Sequence, residues 1–228
     1  METTISDFIT YLHNTRKTSS NTELSYKRDL VKLEKYLSEN NINSDDVSRI
    51  TEKDLNSYIH SLMEQGFKAA TVSRNIASIK AFFNYCQKAD LISKDPSRDL
   101  KAPKIEKKLP EILTMEEVVR LLEQPNSDTP KELRDKAMLE LLYATGIRVS
   151  ELINLSVDDV NIKMCYIMCR DSNKERVIPF GHKAKDALTR YMKSSRNTMI
   201  NDKHSKILFV NCSGAPMSRQ GFWKLIKY

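Results

Sequence analysis

The sequence predicts a mainly α-helical protein with a small β-sheet, divided into an N-terminal four-helix part and a C-terminal α+β part. Three observations predict it. Apolar residues recur at helical spacing in four successive stretches of the first part, with no strand alternation among them. A stretch rich in lysine and proline follows, without any apolar period. Beyond it the helical period resumes and is interrupted by two runs of strand type around a turn signal.

The first helix is carried by Ile5, Phe8, Ile9 and Leu12. The second runs from Thr22 to Leu37, with Leu24, Leu30, Leu33 and Leu37 in the pattern. Thr51 is suited to an N-cap, because its hydroxyl can accept from the free amides of a first turn. Leu55, Tyr58, Ile59 and Leu62 make the stripe of that third helix, and Gly66 ends it. The fourth spans Ala69 to Lys88, with Val72, Ile76, Ile79, Phe82 and Phe83 on one side.

Lys94-Asp95-Pro96 breaks the pattern. Arg98, Lys101, Lys104, Lys107 and Lys108 then stand among Pro103 and Pro110. Proline disfavours helix and clustered positive charge resists compaction, so residues 98–112 read as an extended basic linker. It joins a helical domain at 1–97 to a second domain at 113–228. Such a segment fits a solvated tether and a strap along phosphates equally well.

In the second domain Thr114 precedes Met115-Glu116-Glu117, an N-cap followed by acids in the first turn. Helices are expected over Met115 to Glu123 and Lys131 to Ala144, and Gly146 opens a turn before Arg148. Ser150 to Leu155 reads as a short helix. Cys165 to Cys169 reads as a strand, Asp171-Ser172-Asn173 as a turn, and Arg176 to Phe180 as the returning strand. Lys183 to Met199 is helical again. Ile207 to Val210 reads as a short strand, and Ser218 caps a last helix from Arg219 to Lys227.

Lysine and arginine outnumber acids 37 to 30, for a net charge of +7 and a pI near 9.1. That balance suits a nucleic-acid partner without singling one out. No apolar run approaches the roughly 18 residues that span a bilayer. Met1 to Leu12 carries Glu2 and Asp7 and has no basic start, so no secretory signal is read. Cys165 and Cys169 have no second pair or histidine cluster beside them. With Cys86 and Cys212 they read as free thiols of a reducing cytoplasm. His13, His60, His182 and His204 are scattered, and no phosphate-binding glycine loop, zinc motif or serine-nucleophile elbow occurs. No metal or cofactor is expected.

The stretch that carries chemistry is Tyr143-Ala144-Thr145-Gly146-Ile147-Arg148-Val149-Ser150-Glu151-Leu152. Arg148 follows a glycine turn and precedes a helix, so its guanidinium projects from a defined point. Glu151 lies one helical turn on and can hold it. A planar, permanently charged fork suits bidentate contact with a phosphate. Read alone, the pair also fits an ordinary surface ion pair.

The whole string resembles the signature of the tyrosine site-specific recombinases of the phage integrase family, and within them the Xer branch. Thr22 through Tyr26 to Asp29-Leu30 resembles the family's N-terminal helices. So do Ser73-Arg74 with Lys80-Ala81-Phe82-Phe83, Asn173-Lys174-Glu175-Arg176 before Ile178-Pro179, and Met217-Ser218-Arg219-Gln220 with Phe222-Trp223. The resemblance implies a helical core-binding, SAM-like domain and part of an α+β catalytic domain that hold double-stranded DNA from opposite faces. It implies strand cutting and rejoining through a 3′-phosphotyrosine link, with no cofactor, among several recombinase protomers. By resemblance Arg148 is the first catalytic arginine, Glu151 the acid that orients it, and Thr22, Tyr26, Arg74, Lys80, Arg176 and Arg219 face DNA.

Two departures stand out. The family's hairpin lysine has Asp171 in its place, which leaves Lys174 or Arg170 as substitutes. An acid at that position neither donates a proton readily at neutral pH nor attracts phosphate. The H-x-L-R-H box and the nucleophilic tyrosine belong downstream of the Arg219 helix, and Tyr228 does not match that nucleophile. The polypeptide of these 228 residues is therefore expected to bind DNA and not to cut it, either as a truncated recombinase or as a non-catalytic module.

Overall fold

The computed structural model describes residues 1–42, 46–106, 109–171, 174–202 and 204–227, with the backbone alone at positions 171 and 174. The chain folds as two compact units, Met1–Leu109 and Pro110–Tyr228.

The first unit holds α1 (Glu2–Asn14), α2 (Ser20–Glu39), α3 (Glu52–Glu64) and α4 (Ala69–Lys88). Helix α2 starts two residues earlier than its apolar pattern, because Ser19 caps it by accepting from the Thr22 amide. Thr51 and Asp54 make a reciprocal capping box at α3. The Asp54 amide donates to the Thr51 hydroxyl at 3.3 Å, and the Thr51 amide donates to the Asp54 carboxylate at 2.9 Å. Each helix turns one apolar face inward. Phe8, Leu30, Leu33, Leu55, Phe82 and Phe83 are fully buried where those faces meet. Leu100 is buried in the same core, beyond the proline that ends the helical pattern.

Two polar ties cross this core. Asp29 of α2 is buried and accepts from Arg74 at 2.6 Å and Ser78 at 2.8 Å, both on α4. Burial pushes its carboxyl above the ordinary range, against the Ser78 hydrogen bond and the Arg74 charge, which pull it down. The Tyr58 hydroxyl of α3 donates to Asn75 of α4 at 3.1 Å.

The second unit holds α5 (Met115–Glu123), α6 (Pro130–Thr145), α7 (Val149–Asn154), β1 (Val160–Asn161), β2 (Tyr166–Asp171), β3 (Lys174–Pro179), α8 (His182–Ser194), α9 (Arg196–Met199) and α10 (Arg219–Lys227). The strands form an antiparallel sheet in the order β1-β2-β3. Val160 lies opposite Ile167, and Ile167 opposite Ile178. Helix α6 is central and is buried on several sides, at Leu133, Ala137, Met138 and Leu141 as well as Arg134 and Asp135. Its apolar residues therefore surround the helix rather than form a stripe. Helix α8 packs Ala184, Leu188 and Tyr191 into the same core.

The structure departs from the sequence pattern in five places. Asp171, expected in the turn, ends β2, and β3 begins at Lys174 rather than Arg176, because the two pair across the hairpin. Cys165 has φ of +55° and belongs to the turn before β2, not to the strand. The pair Val160–Asn161 was too short to read as a strand and forms one by pairing with β2. The stretch Lys183 to Met199 is two helices that part at Ser195. There the Arg196 guanidinium leaves the helical path to donate to the carbonyls of Ser205 at 2.6 Å and Ile207 at 2.6 Å. Residues 207–210 form only single bridges, Ser156 with Ile207 and Val210 with Pro216. Side chains take three of these four carbonyls, while that of Phe209 accepts the Met217 amide. Arg196 binds that of Ile207, Tyr191 that of Leu208 at 3.0 Å, and Arg134 that of Val210 at 3.1 Å. Ser172 and Asn173 of the expected turn lie outside the described residues.

Two tests follow from the backbone and the buried groups. Gly146 has φ of +60° with open space around a built Cβ, so Gly146→Ala costs only the strain of a left-handed alanine, about 1 kcal/mol. Gly214 has φ of +77°, and a Cβ there falls 2.8 Å from the Asn201 amide nitrogen. Gly214→Ala is therefore the more damaging of the two, and urea midpoints in the opposite order contradict this packing. Burial also pushes the Cys86 thiol up to about 12 from 9.0 and the Tyr191 phenol up to about 12 from 10.0. Both hold their proton more tightly folded than unfolded. The stability they contribute is complete below the unfolded values and is lost as pH rises through 9 toward 12. A urea midpoint that stays level between about pH 8 and about pH 11 contradicts it.

Candidate functional site

In the second unit the site is built where α6 ends. Gly146 takes the left-handed conformation after α6 and its amide donates to the Leu142 carbonyl at 2.9 Å. Ile147 is buried and anchors the turn. Arg148 follows with extended backbone at the N-cap of α7, so its side chain leaves the fold at the start of a helix. It is 70% exposed.

Glu151, at the third position of α7, is only 13% exposed and faces back. Its Oε2 accepts the Arg148 amide at 2.7 Å, which satisfies one of the free donors of the helix start. Its Oε1 lies 3.8 Å from Nη1 of Arg148 and also accepts from Nη2 of Arg176. Arg176 comes from β3, directly opposite Cys169 of β2. One carboxylate thus joins a turn, a helix and a strand.

These groups open onto a cleft of about 260 Å³ lined by Arg148, Ser150, Glu151, Asp159, Cys169 and Arg170. Arg170 pairs with Asp159 at 2.5 Å and with Glu175 at 3.2 Å. Burial pushes the Cys169 thiol above its ordinary range; the Glu151 charge adds to this and Arg176 opposes it. The exposed Arg148 fork at the mouth, backed by a carboxylate and by further guanidinium charge, is arranged to meet an anion with oxygens in a plane.

The hairpin places Asp171 at the end of β2, opposite Lys174 at the start of β3, and their side chains lie outside the described residues. Arg219 is exposed in the first turn of α10. Ser218 caps that helix by accepting from the Gly221 amide at 3.0 Å, and buried Phe222 roots it in the core.

In the first unit the structure brings Thr22, Tyr26 and Lys80 around one cavity of about 250 Å³, with Arg16 and Tyr85. Each also has an internal partner. The Thr22 hydroxyl meets that of Ser19 at 2.9 Å. The Tyr26 ring stacks on Phe8 at 6.4 Å between centroids. The Lys80 ammonium donates to the Arg98 carbonyl at 3.0 Å. Arg74 is tied to Asp29 and remains 45% exposed.

Sequence reasoning passed over Arg16, the Arg170–Asp159 pair and the Arg176–Glu151 pair. The last was open to inference from strand register, since the residue opposite buried Cys169 shares its face. Among the described residues no cluster of three or more His, Cys, Asp or Glu is placed to hold a metal. Among the same residues no helix is long and apolar enough to cross a membrane.

Comparison with known proteins agrees with this architecture. The model of the phage integrase family matches residues 111–228, and that of the phage integrase N-terminal SAM-like domain matches residues 5–89. The chain is 41% identical to the tyrosine recombinase XerD of Oceanobacillus iheyensis, over all of this chain and 76% of that protein. It is 42% identical to a putative tyrosine recombinase of Caldanaerobacter subterraneus, over 99% of this chain and 76% of that one. In fold it is similar to the Tn1549 transposon integrase, solved in complex with a circular intermediate DNA. The TM-score is 0.73 at 20% identity, over 98% of this chain and 77% of that one. The chain belongs to the phage integrase family, among the Xer-like tyrosine recombinases that cut and rejoin DNA.

Proposed function

We propose that these 228 residues form the DNA-binding part of a Xer-like site-specific recombinase, in which Arg148 grips the phosphate at which the strand is exchanged. The observation that carries this reading is the exposed Arg148 fork at the mouth of a charged cleft, its amide and guanidinium both held by Glu151. Arg148 neutralises the charge that builds on the phosphate oxygens, and its fixed geometry avoids reorganisation during the step. Glu151 orients it. In such an enzyme a tyrosine attacks the phosphate and releases a 5′-hydroxyl, and the 3′-phosphotyrosine conserves the bond for rejoining.

Thr22, Tyr26, Arg74, Lys80, Arg176 and Arg219 face the duplex in this reading and mostly meet its phosphates. The cavity that collects Thr22, Tyr26, Lys80 and Arg16 supports it. Double-stranded DNA and further recombinase protomers are the partners, in the cytoplasm. Lys174 stands beside the place where the family has its lysine. Asp171 in that place supports a second reading, a non-catalytic module that occupies recombination sites.

Two measurements test these readings. Affinity for duplex DNA falls steeply with salt, and Arg148→Ala lowers the slope of log affinity against log salt by about one. Absence of any gel shift at low salt overturns the DNA-binding reading. A suicide substrate incubated with the polypeptide of residues 1–228 traps no covalent adduct, because the tyrosine expected as nucleophile is not among them. An adduct that forms and disappears in Tyr228→Phe overturns that assignment.

A further inference from the structure

We propose that the cavity between α1, α2 and α4 of the first unit is a phosphate site that takes one phosphodiester group of the duplex, with Arg16 as its principal cation. This rests on the reading of the chain as a DNA-binding protein.

The lining of this cavity divides by chemistry. Arg16 and Lys80 supply positive charge, Thr22 a hydroxyl, and Tyr11, Tyr26 and Tyr85 phenols. Among the described residues that line it there is no carboxylate. Glu23, bonded to the lining hydroxyl of Thr18 at 3.0 Å, also faces His13 at 3.3 Å and is engaged there. Two cations that share a cavity without an acid between them repel each other, and an anion placed there attracts both. Arg16 is set at this place by a short connection. The Thr15 amide donates to the Tyr11 carbonyl at 2.9 Å and the Thr18 amide to the Leu12 carbonyl at 3.3 Å, with Lys17 between them in the left-handed region at φ of +48°. Arg16 is exposed and makes no hydrogen bond or ion pair with a described residue, so its five donors remain for a ligand. Lys80 gives one proton to the Arg98 carbonyl and keeps two.

The phenols complete the set. Their rings are fixed by packing, Tyr26 stacked on Phe8 and Tyr11 at 5.1 Å from Tyr85 between centroids. Their hydroxyls make no hydrogen bond to a described residue, although all three side chains are half-buried. Burial holds the Tyr85 phenol above its ordinary value, and the Asp7 charge adds to this, so it stays a protonated donor. Neutral hydroxyls beside fixed positive charge match the two unesterified oxygens of a phosphodiester, which accept several hydrogen bonds while carrying one negative charge. Contacts of this kind carry no sequence information. The site therefore fixes where α2 and α4 sit along the duplex, and leaves base reading to other residues.

A double-mutant cycle on binding of residues 1–228 to a short random-sequence duplex tests the site. Arg16→Ala weakens binding roughly tenfold. Tyr26→Phe and Tyr85→Phe, made together to keep both rings, weaken it roughly fivefold in the unchanged chain and less than about twofold in the Arg16→Ala background, because the same phosphate is then no longer held. Losses that multiply instead, or a phenylalanine pair that binds as tightly as the unchanged chain, overturn the proposal. The phenylalanine pair also leaves the urea midpoint where it was, since those hydroxyls have no protein partner; a lowered midpoint shows an internal role and counts against the site. Inorganic phosphate provides a second arm. If it raises the urea midpoint of the unchanged chain but not of Arg16→Ala, while both bind the duplex equally, the cavity belongs to a free anion and the duplex assignment is overturned. An unchanged chain that binds no duplex at low salt is the failure of the DNA-binding reading, and is distinct from a chain that binds without coupling between Arg16 and the phenols.

Discussion

The carboxylate of Glu151 is the constraint on which the second unit's surface depends. It closes the helix start by accepting the Arg148 amide, stands against the Arg148 guanidinium, and pairs with Arg176 from the sheet. A neutral side chain of the same size could serve the amide but could not balance two guanidinium groups. Because the carboxylate is mostly buried, its electrostatic hold is weakened less by salt than that of a surface pair. The exposed arginine is consequently held at a defined place although it stands in solvent.

The same economy recurs deeper in the fold, where arginines supplement the few backbone partners of residues 207–210. Arg134 is buried on α6, pairs with Asp135, and reaches the Val210 carbonyl. Arg196 sits at the break between two helices and binds the carbonyls of Ser205 and Ile207. Beside its single bridges, the segment has carbonyls satisfied by guanidinium groups, each with several donors in a rigid plane. This segment leads through Ser218 into the helix that presents Arg219. In the first unit Asp29 plays the matching part, drawing Arg74 and Ser78 of one helix onto another.

What was legible in the sequence was what depends on nearest neighbours along the chain. The helix over Ala69 to Lys88 and that over Met115 to Glu123 have the bounds expected from apolar spacing and capping residues. The turn at Gly146 was legible because only glycine takes a left-handed backbone without strain. Arg148 and Glu151 were legible as a pair one helical turn apart, and the long motif around them carried the family. The helix break at Ser195 was not legible, since Ser194, Ser195 and Asn197 weaken a helix without marking where it stops, and the partners of Arg196 lie further along the chain. Nor was the loss of the strand at 207–210, because its competitors for the carbonyls come from α6, α8 and α9.

The sequence by itself determined most of the helices, the β2–β3 hairpin and the family, and it singled out Arg148 and Glu151 as a pair one helical turn apart. All of these follow from residue type and spacing, which act over a few positions. Only the tertiary structure decided which cations share Glu151, which carbonyls Arg134 and Arg196 satisfy, and that Thr22, Tyr26 and Lys80 surround one cavity. Those pairings join residues many positions apart, and the short range of a hydrogen bond means that only the packed chain can bring them within reach.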